Sequence, residues 1–243
     1  MIIMPEATVN TLTLLPEDSA HVTGYVGCRL DAVLRSRILS PHARETILGE
    51  ATAAFRQRVD DRLRPGSGLW QGEFWGKWIL SAVGAQRYTG DQALLESIRA
   101  SCHDVAGTQD DDGYIGTYSD SSFVRATPPG INWNIWCRKY TLWGLLEAYQ
   151  LLGEERFLGA AVHLMDHLSS QVGPRAIPII KTGEFFGLPS ASILLPVVQL
   201  YRHSGERRFL DYAYSIVEQW AANRDHPPDI VNKALEGRPI HQW

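Results

Sequence analysis

The sequence predicts an all-α protein made of repeated helical hairpins, and three observations carry that expectation. Short glycine turns of one type recur at 88–91, 152–155 and 204–207. Each is flanked on both sides by apolar residues at helical spacing. Sustained period-2 alternation is absent, and only 113–118 and 176–180 read as short candidate strands.

The elements follow in order. Two helices are expected upstream, over 24–40 and 41–63, the second opened by Pro41 behind the N-cap candidate Ser40. Ile79, Ala82, Val83 and Gln86 precede the first turn, and Leu94, Ile98, Cys102 and Val105 follow it. The second turn lies between Leu142, Leu145, Leu146, Tyr149 and the ladder Phe157, Ala161, Leu164, Met165, Leu168. Leu194, Val197, Val198 and Tyr201 precede the third, with Phe209, Ala213, Ile216, Val217 and Trp220 beyond it. Ser101 alone interrupts the first ladder. Glycine at each turn suits a left-handed helix cap, and the acidic residue after it suits the next helix N-terminus. This gives about eight helices, with the proline-bearing tail 225–243 read as loop and no domain boundary anywhere.

Composition narrows the function. The 243 residues are 44% hydrophobic and 21% charged, with a net charge of −4, an ordinary globular profile. No basic field exists to neutralise phosphates, so nucleic acid is not an expected partner. No apolar run of about 18 residues exists to span a bilayer, so no membrane is expected either. The N-terminus lacks the order of a signal peptide, which points to the cytoplasm. Cys28, Cys102 and Cys137 are too few and too scattered for a disulfide framework or a C-x-x-C site. Eight tryptophans imply a thick core or an aromatic pocket.

In an antiparallel helix pair the long connections emerge opposite the short turn, so chemistry is expected in 65–77, 108–139, 171–192 and the tail. Those stretches are rich in aromatics and carboxylates. Aromatic faces stack on sugar rings, carboxylates accept hydroxyl hydrogen bonds, and glycoside cleavage needs a carboxyl acid. Candidate sugar-binding residues are Glu73, Trp75, Asp112, Tyr114, Trp136, Lys139 and Glu184, with Asp112 and Glu184 as candidate acids. Each has a plainer reading. Trp75 and its neighbours cap helix ends in a core, Asp112 makes an Asp-Gly turn, Glu73 serves its helix dipole, and Glu184 is a solvated loop carboxylate. Arg138 and Lys139 would hold a carboxylated sugar such as a uronate, or else pair with an acid or face water. Cys137 reads as a small buried hydrophobe rather than a ligand. His163 and His167 have metal-pair spacing without the H-E-x-x-H order, and read as surface residues.

The segments GLWQGEFWGKW (68–78), QDDDGYIGTY (109–118) and WNIWCRKYTLWGLLEAY (133–149) resemble the β-L-arabinofuranosidase-like glycoside hydrolases, family 127 and its relatives. GLPSASILLPVVQLYRHSGERRFLDYAYSIVEQW (187–220) looks like the next hairpin of the same group. The resemblance implies an (α/α) toroid, a ring of six hairpins with sugar on its loop face. Residues 1–243 would form a single, C-terminally incomplete domain of about four hairpins. It also implies a cysteine nucleophile and glutamates around a thiolate-held zinc, carried by Glu-x-Cys and Cys-Cys motifs. Neither motif occurs here: Val26, Ala100 and Ile135 stand two residues before the three cysteines. No catalytic residue therefore carries over, no metal is assigned to this chain, and zinc is expected only in a longer homologue. CRKY (137–140) and GLPSAS (187–192) replace histidine-bearing motifs, which leaves the sugar open between an arabinofuranoside and a related one. An incomplete ring would expose hairpin sides and favour self-association. Two other readings stand beside the hydrolase: a non-catalytic carbohydrate-binding or interaction module, and a toroid epimerase or unsaturated-uronyl hydrolase.

Overall fold

A computed structural model describes residues 20–58, 70–125, 132–222 and 230–239. The chain runs through α1 (Gly24–Val33), α2 (Gly49–Gln57), α3 (Gln71–Thr89), α4 (Gln92–Ala106), α5 (Asn134–Leu152), α6 (Glu155–Gln171), α7 (Leu188–Ala191), α8 (Leu194–Ser204), α9 (Arg207–Ala222) and α10 (Ile230–Leu235). Each glycine turn closes a hairpin: α3 with α4, α5 with α6, and α8 with α9. Gly90, Gly153 and Gly205 share one left-handed conformation, with φ of 65°, 67° and 71°. Each N–H returns to the carbonyl four residues back, at 2.7, 2.8 and 2.8 Å, which closes the helix where a side chain would be strained. Asp91 caps α4 by accepting the Leu94 N–H at 2.7 Å. Glu154 departs from the expected dipole role and reaches back to α4, accepting from Arg99 at 3.2 Å and pairing with His103 at 2.8 Å.

The ladders form one continuous core. All the ladder residues after the turns are buried except Val217. Ser101, the polar interruption, is there for a reason. The Trp75 indole N–H donates to Ser101 Oγ at 2.9 Å, Ser101 pairs with Thr52 Oγ1 at 2.8 Å, and Thr52 donates to the Leu48 carbonyl at 2.7 Å. Every member of that chain is satisfied inside the core.

Helices α3 and α5 approach each other closely through glycines. A Cβ on Gly72 would lie 2.9 Å from the Cys137 Cβ, one on Gly76 would lie 2.6 Å from the Tyr140 carbonyl carbon, and one on Gly144 would lie 2.7 Å from the Trp75 ring. Only hydrogen fits there, so these glycines set the helix spacing.

Several expectations are corrected. The helix expected over 24–40 is α1 extended by a π-helical turn at Leu34–Ile38, and α2 is preceded by another at Ala43–Leu48. Helix α2 stops at Gln57 because Arg58 takes φ 42°; residues 59–63 of the expected helix lie outside the described residues. No strand occurs among the described residues, where β pairing takes the form of isolated bridges such as Arg125 with Gly183 and Val172 with Ile177. In 113–118 the backbone bonds locally: Asp110 N–H reaches Tyr114 O at 3.0 Å, and Tyr114 N–H reaches the Asp112 carboxylate at 3.0 Å. In 176–180, Pro178 lacks an N–H and leads into a 3-10 turn at Ile179–Lys181. The tail is not all loop, for α10 packs on α9 through Asn232, whose side-chain amide donates to the Ala221 carbonyl at 3.0 Å.

Candidate functional site

The long connections do meet. Gly183 N–H donates to the Val124 carbonyl at 2.8 Å, and Asn132 N–H donates to Glu184 Oε1 at 2.6 Å. These bonds join the 108–133 and 172–193 connections beside the N-terminal half of α5. From there an aromatic row runs along one face of α5. Phe185 meets Trp133 with ring centroids 6.1 Å apart, Trp133 meets Trp136 at 5.9 Å, Trp136 meets Tyr140 at 5.2 Å, and Tyr140 stacks on Trp143 at 6.3 Å. Positions 133, 136, 140 and 143 share a face because each step is three or four residues. Trp133, Trp136 and Trp143 are half-buried and Phe185 is exposed.

Charge is set into this row. Lys77 on α3 donates to Glu73 Oε1 at 2.6 Å one helical turn earlier, and its ammonium lies 5.2 Å from the Tyr140 ring centre. The hydrogen bond that Lys77 donates to Glu73 is the main reason the Lys77 pKa is raised. Lys139 lies over two rings at once, 4.0 Å from the Trp136 centre and 4.2 Å from that of Tyr140. Such contacts stabilise a cation but do not neutralise it. Burial, and then the Lys77 ammonium, push Lys139 down to about 8 against the opposing pull of Glu73. Burial likewise raises the Tyr140 hydroxyl. Glu73, Trp136 and Lys139 are therefore brought together. Lys77, Tyr140 and Trp143 were missed as site members; the signal was the aromatic spacing along α5 with an i, i+4 acid-base pair on α3.

Asp112 and Tyr114 belong to a second cluster. Arg138 is fully buried and has no surface to offer a sugar. Its guanidinium donates to Asn134 at 2.8 Å, to Gln171 at 3.0 Å and to the Ser121 carbonyl, meets His167 at 3.4 Å, and stacks 4.7 Å from the Tyr114 centre. Burial works against its charge and lowers its pKa. Tyr114 donates to the Tyr118 carbonyl at 2.8 Å, and its ring also carries Arg58 at 5.1 Å. Arg58 grips both oxygens of Asp110, at 2.5 and 3.1 Å. Asp112 accepts from its own turn and lies 3.3 Å from His167 Nε2. His167 is buried, contrary to its surface reading, because it closes this network; His163 is exposed. The cluster pins the 108–133 connection to α5 and α6.

The remaining candidates separate. Trp75 is wholly inside the core, edge-on to Phe55 at 5.5 Å, so it does not face a sugar. Glu184 is half-buried and holds the Asn132 backbone. Cys102 and Cys137 are buried in different clusters while Cys28 is exposed, and burial raises the Cys102 thiol well above its ordinary value. Among the described residues no three of His, Cys, Asp and Glu come together as metal ligands. These residues do not fit a thiolate zinc site.

Helical hairpins closed by short glycine turns, with no strand among the described residues, define a class, that of all-α, toroid-like folds. The sequence matches the model for the β-L-arabinofuranosidase GH127 catalytic domain over residues 30–234. The chain belongs to that glycoside hydrolase family. Among solved structures, a GH127 β-arabinofuranosidase superposes with a TM-score of 0.62 at 19% identity, covering 85% of this chain and 34% of that one. A GH127 β-L-arabinofuranosidase from Geobacillus stearothermophilus T6 superposes with a TM-score of 0.53 at 16% identity, covering 87% of this chain and 32% of that one. At these identities the likeness shows the fold, and the chain spans about a third of the length of these relatives. No curated protein sequence matches. Among the described residues, no helix is long and apolar enough to cross a membrane.

Proposed function

We propose that the aromatic row on α5 is the sugar-binding wall of a glycoside hydrolase, taking an oligosaccharide of arabinofuranoside or related type. The carrying observation is the juxtaposition of Trp133, Trp136 and Tyr140 with the Glu73–Lys77 pair. Rings supply faces for stacking, while the carboxylate and ammonium supply an acceptor and donors for hydroxyls. Membership in the family and the names of the solved relatives support arabinofuranoside as the sugar.

Asp112 and Glu184 are engaged in loop bonds rather than facing one another across a cleft, which supports recognition as the part this chain plays and favours a binding module acting without turnover as the second reading. The test is titration of tryptophan fluorescence with an arabino-oligosaccharide, followed by product analysis. Wild-type protein should bind, and Trp136→Ala should weaken binding about tenfold, a loss of roughly 1.4 kcal/mol. No spectral response to the sugar, or an unaffected Trp136→Ala, would refute the wall; released sugar would select the hydrolase over the module.

A further inference from the structure

Lys139 is the odd member of the site. Only 6% of it is exposed, yet among the described residues its ammonium has no ion pair and no hydrogen bond. The charged and titratable groups facing it are Glu73 and Lys77 on α3 and Tyr140 on its own helix. Glu73 is already bound to Lys77 at 2.6 Å, so one carboxylate serves two ammonium groups and the cluster keeps a surplus positive charge.

A buried charge is costly unless it is paired, and the faces of Trp136 and Tyr140 offset only part of that cost. A neutral sugar stacking on the row would bury the ammonium further and leave it uncompensated. A sugar bearing a carboxylate would supply the missing partner. The side chain of Lys77 is 50% exposed, so the cluster opens to solvent on that side. An anion entering there meets two ammonium groups above aromatic faces, an arrangement suited to a planar carboxylate on a stacked ring.

Resting on the carbohydrate-wall reading above, we propose that the sugar this wall selects carries a carboxylate, and that Lys139, supported by Lys77, is its specificity-determining residue. The depressed ammonium pKa agrees, because an unpaired cation in this setting gives up its proton easily and an arriving carboxylate would restore it.

The experiment is calorimetric titration of the protein with galacturonic acid, its digalacturonate, arabinobiose and sodium acetate at pH 7 and pH 9. The acidic sugars should bind at least about tenfold tighter than arabinobiose at pH 7, with proton uptake. They should weaken about tenfold by pH 9, while arabinobiose changes little. Lys139→Gln should erase the preference, weakening the acidic sugars at least about tenfold more than it weakens arabinobiose, and Lys139→Arg should keep most of it. Equal binding of acidic and neutral sugars, a flat pH response, or unchanged galacturonate binding by Lys139→Gln overturns the proposal and leaves the wall standing. Acetate competing as well as galacturonate overturns it too, since the site would then be a mere anion contact. Binding of neither sugar class refutes the wall and the proposal together. If Lys139→Gln does not fold, the wild-type pH response and Lys139→Arg decide the matter.

Discussion

Replacing Ser101 with alanine tests the buried hydrogen-bond chain that explains the one polar break in the first ladder. The substitution removes the acceptor of the Trp75 indole N–H, a 2.9 Å bond. Trp75 has no exposed surface, so water cannot take the place of Ser101. Thr52 loses its Ser101 contact but keeps its bond to Leu48 at 2.7 Å, so the penalty falls on the indole alone. An orphaned buried donor costs about 1–3 kcal/mol. For a chain of this size each kcal/mol lowers Tm by roughly 2–4 °C, so a mid-range loss of about 2 kcal/mol corresponds to about 4–8 °C. Urea denaturation and thermal melts followed by circular dichroism would read it. A cycle with Trp75→Phe, which removes the donor, should return a coupling of about 1 kcal/mol or more. Destabilisation by Ser101→Ala of less than about 0.5 kcal/mol, or additivity with Trp75→Phe, would refute the reasoning.

Gly76→Ala should destabilise strongly, by more than about 3 kcal/mol, because its Cβ meets the Tyr140 backbone carbonyl and neither helix can yield alone. Gly84→Ala on the same helix meets nothing within 4 Å and should stabilise by about 0.5–1 kcal/mol; urea midpoints of the two variants should move in opposite directions. His167 gives a pH dependence whose sign follows from its surroundings. Burial first and the Arg138 guanidinium second hold its pKa below the ordinary value, against the pull of Asp112 and Asp110. The unfolded chain therefore takes up the proton first as pH falls, so this contribution to stability is intact above about pH 6.5 and declines below it, levelling off beneath the lower folded value. His167→Gln should flatten that decline in urea midpoints measured from pH 7.5 to 5, leaving the share expected from His203, which burial also shifts downward.

The hairpins were legible in the sequence because a helix with one buried face writes its period into the chain, and the glycine turns mark where each helix must stop. Short elements were less so: the six residues of α10 are too few to show a period, and the local bonds of Asp110, Asp112 and Tyr114 replace strand pairing that alternation alone suggests. Glu73, Trp136 and Lys139, singled out by residue type, lie together on the first turns of α3 and α5. Trp75, two residues from Glu73, carries the same type signal yet turns inward, because helical rotation rather than proximity decides which side chain faces the core. Arg138 and Lys139 show the same limit. Adjacent on α5, one is locked among neutral acceptors and the other lies over aromatic rings, a difference set by residues far away in sequence.

The position of Trp75 bears on how the chain acquires its shape during synthesis. Its neighbours are Phe55 on α2, Ser101 on α4 and Gly144 on α5, so its shelter is assembled from segments lying on both sides of it in sequence. A nascent chain that has emerged only through α4 can close the first hairpin and satisfy the indole N–H, but one flank of the ring stays open to water. The pocket is sealed when α5 leaves the ribosome and docks its glycine against the indole. Translation therefore passes through a stretch of about forty residues, the span from α4 to Gly144, in which one face of a large apolar side chain of the first hairpin is open to chaperones and to neighbouring chains.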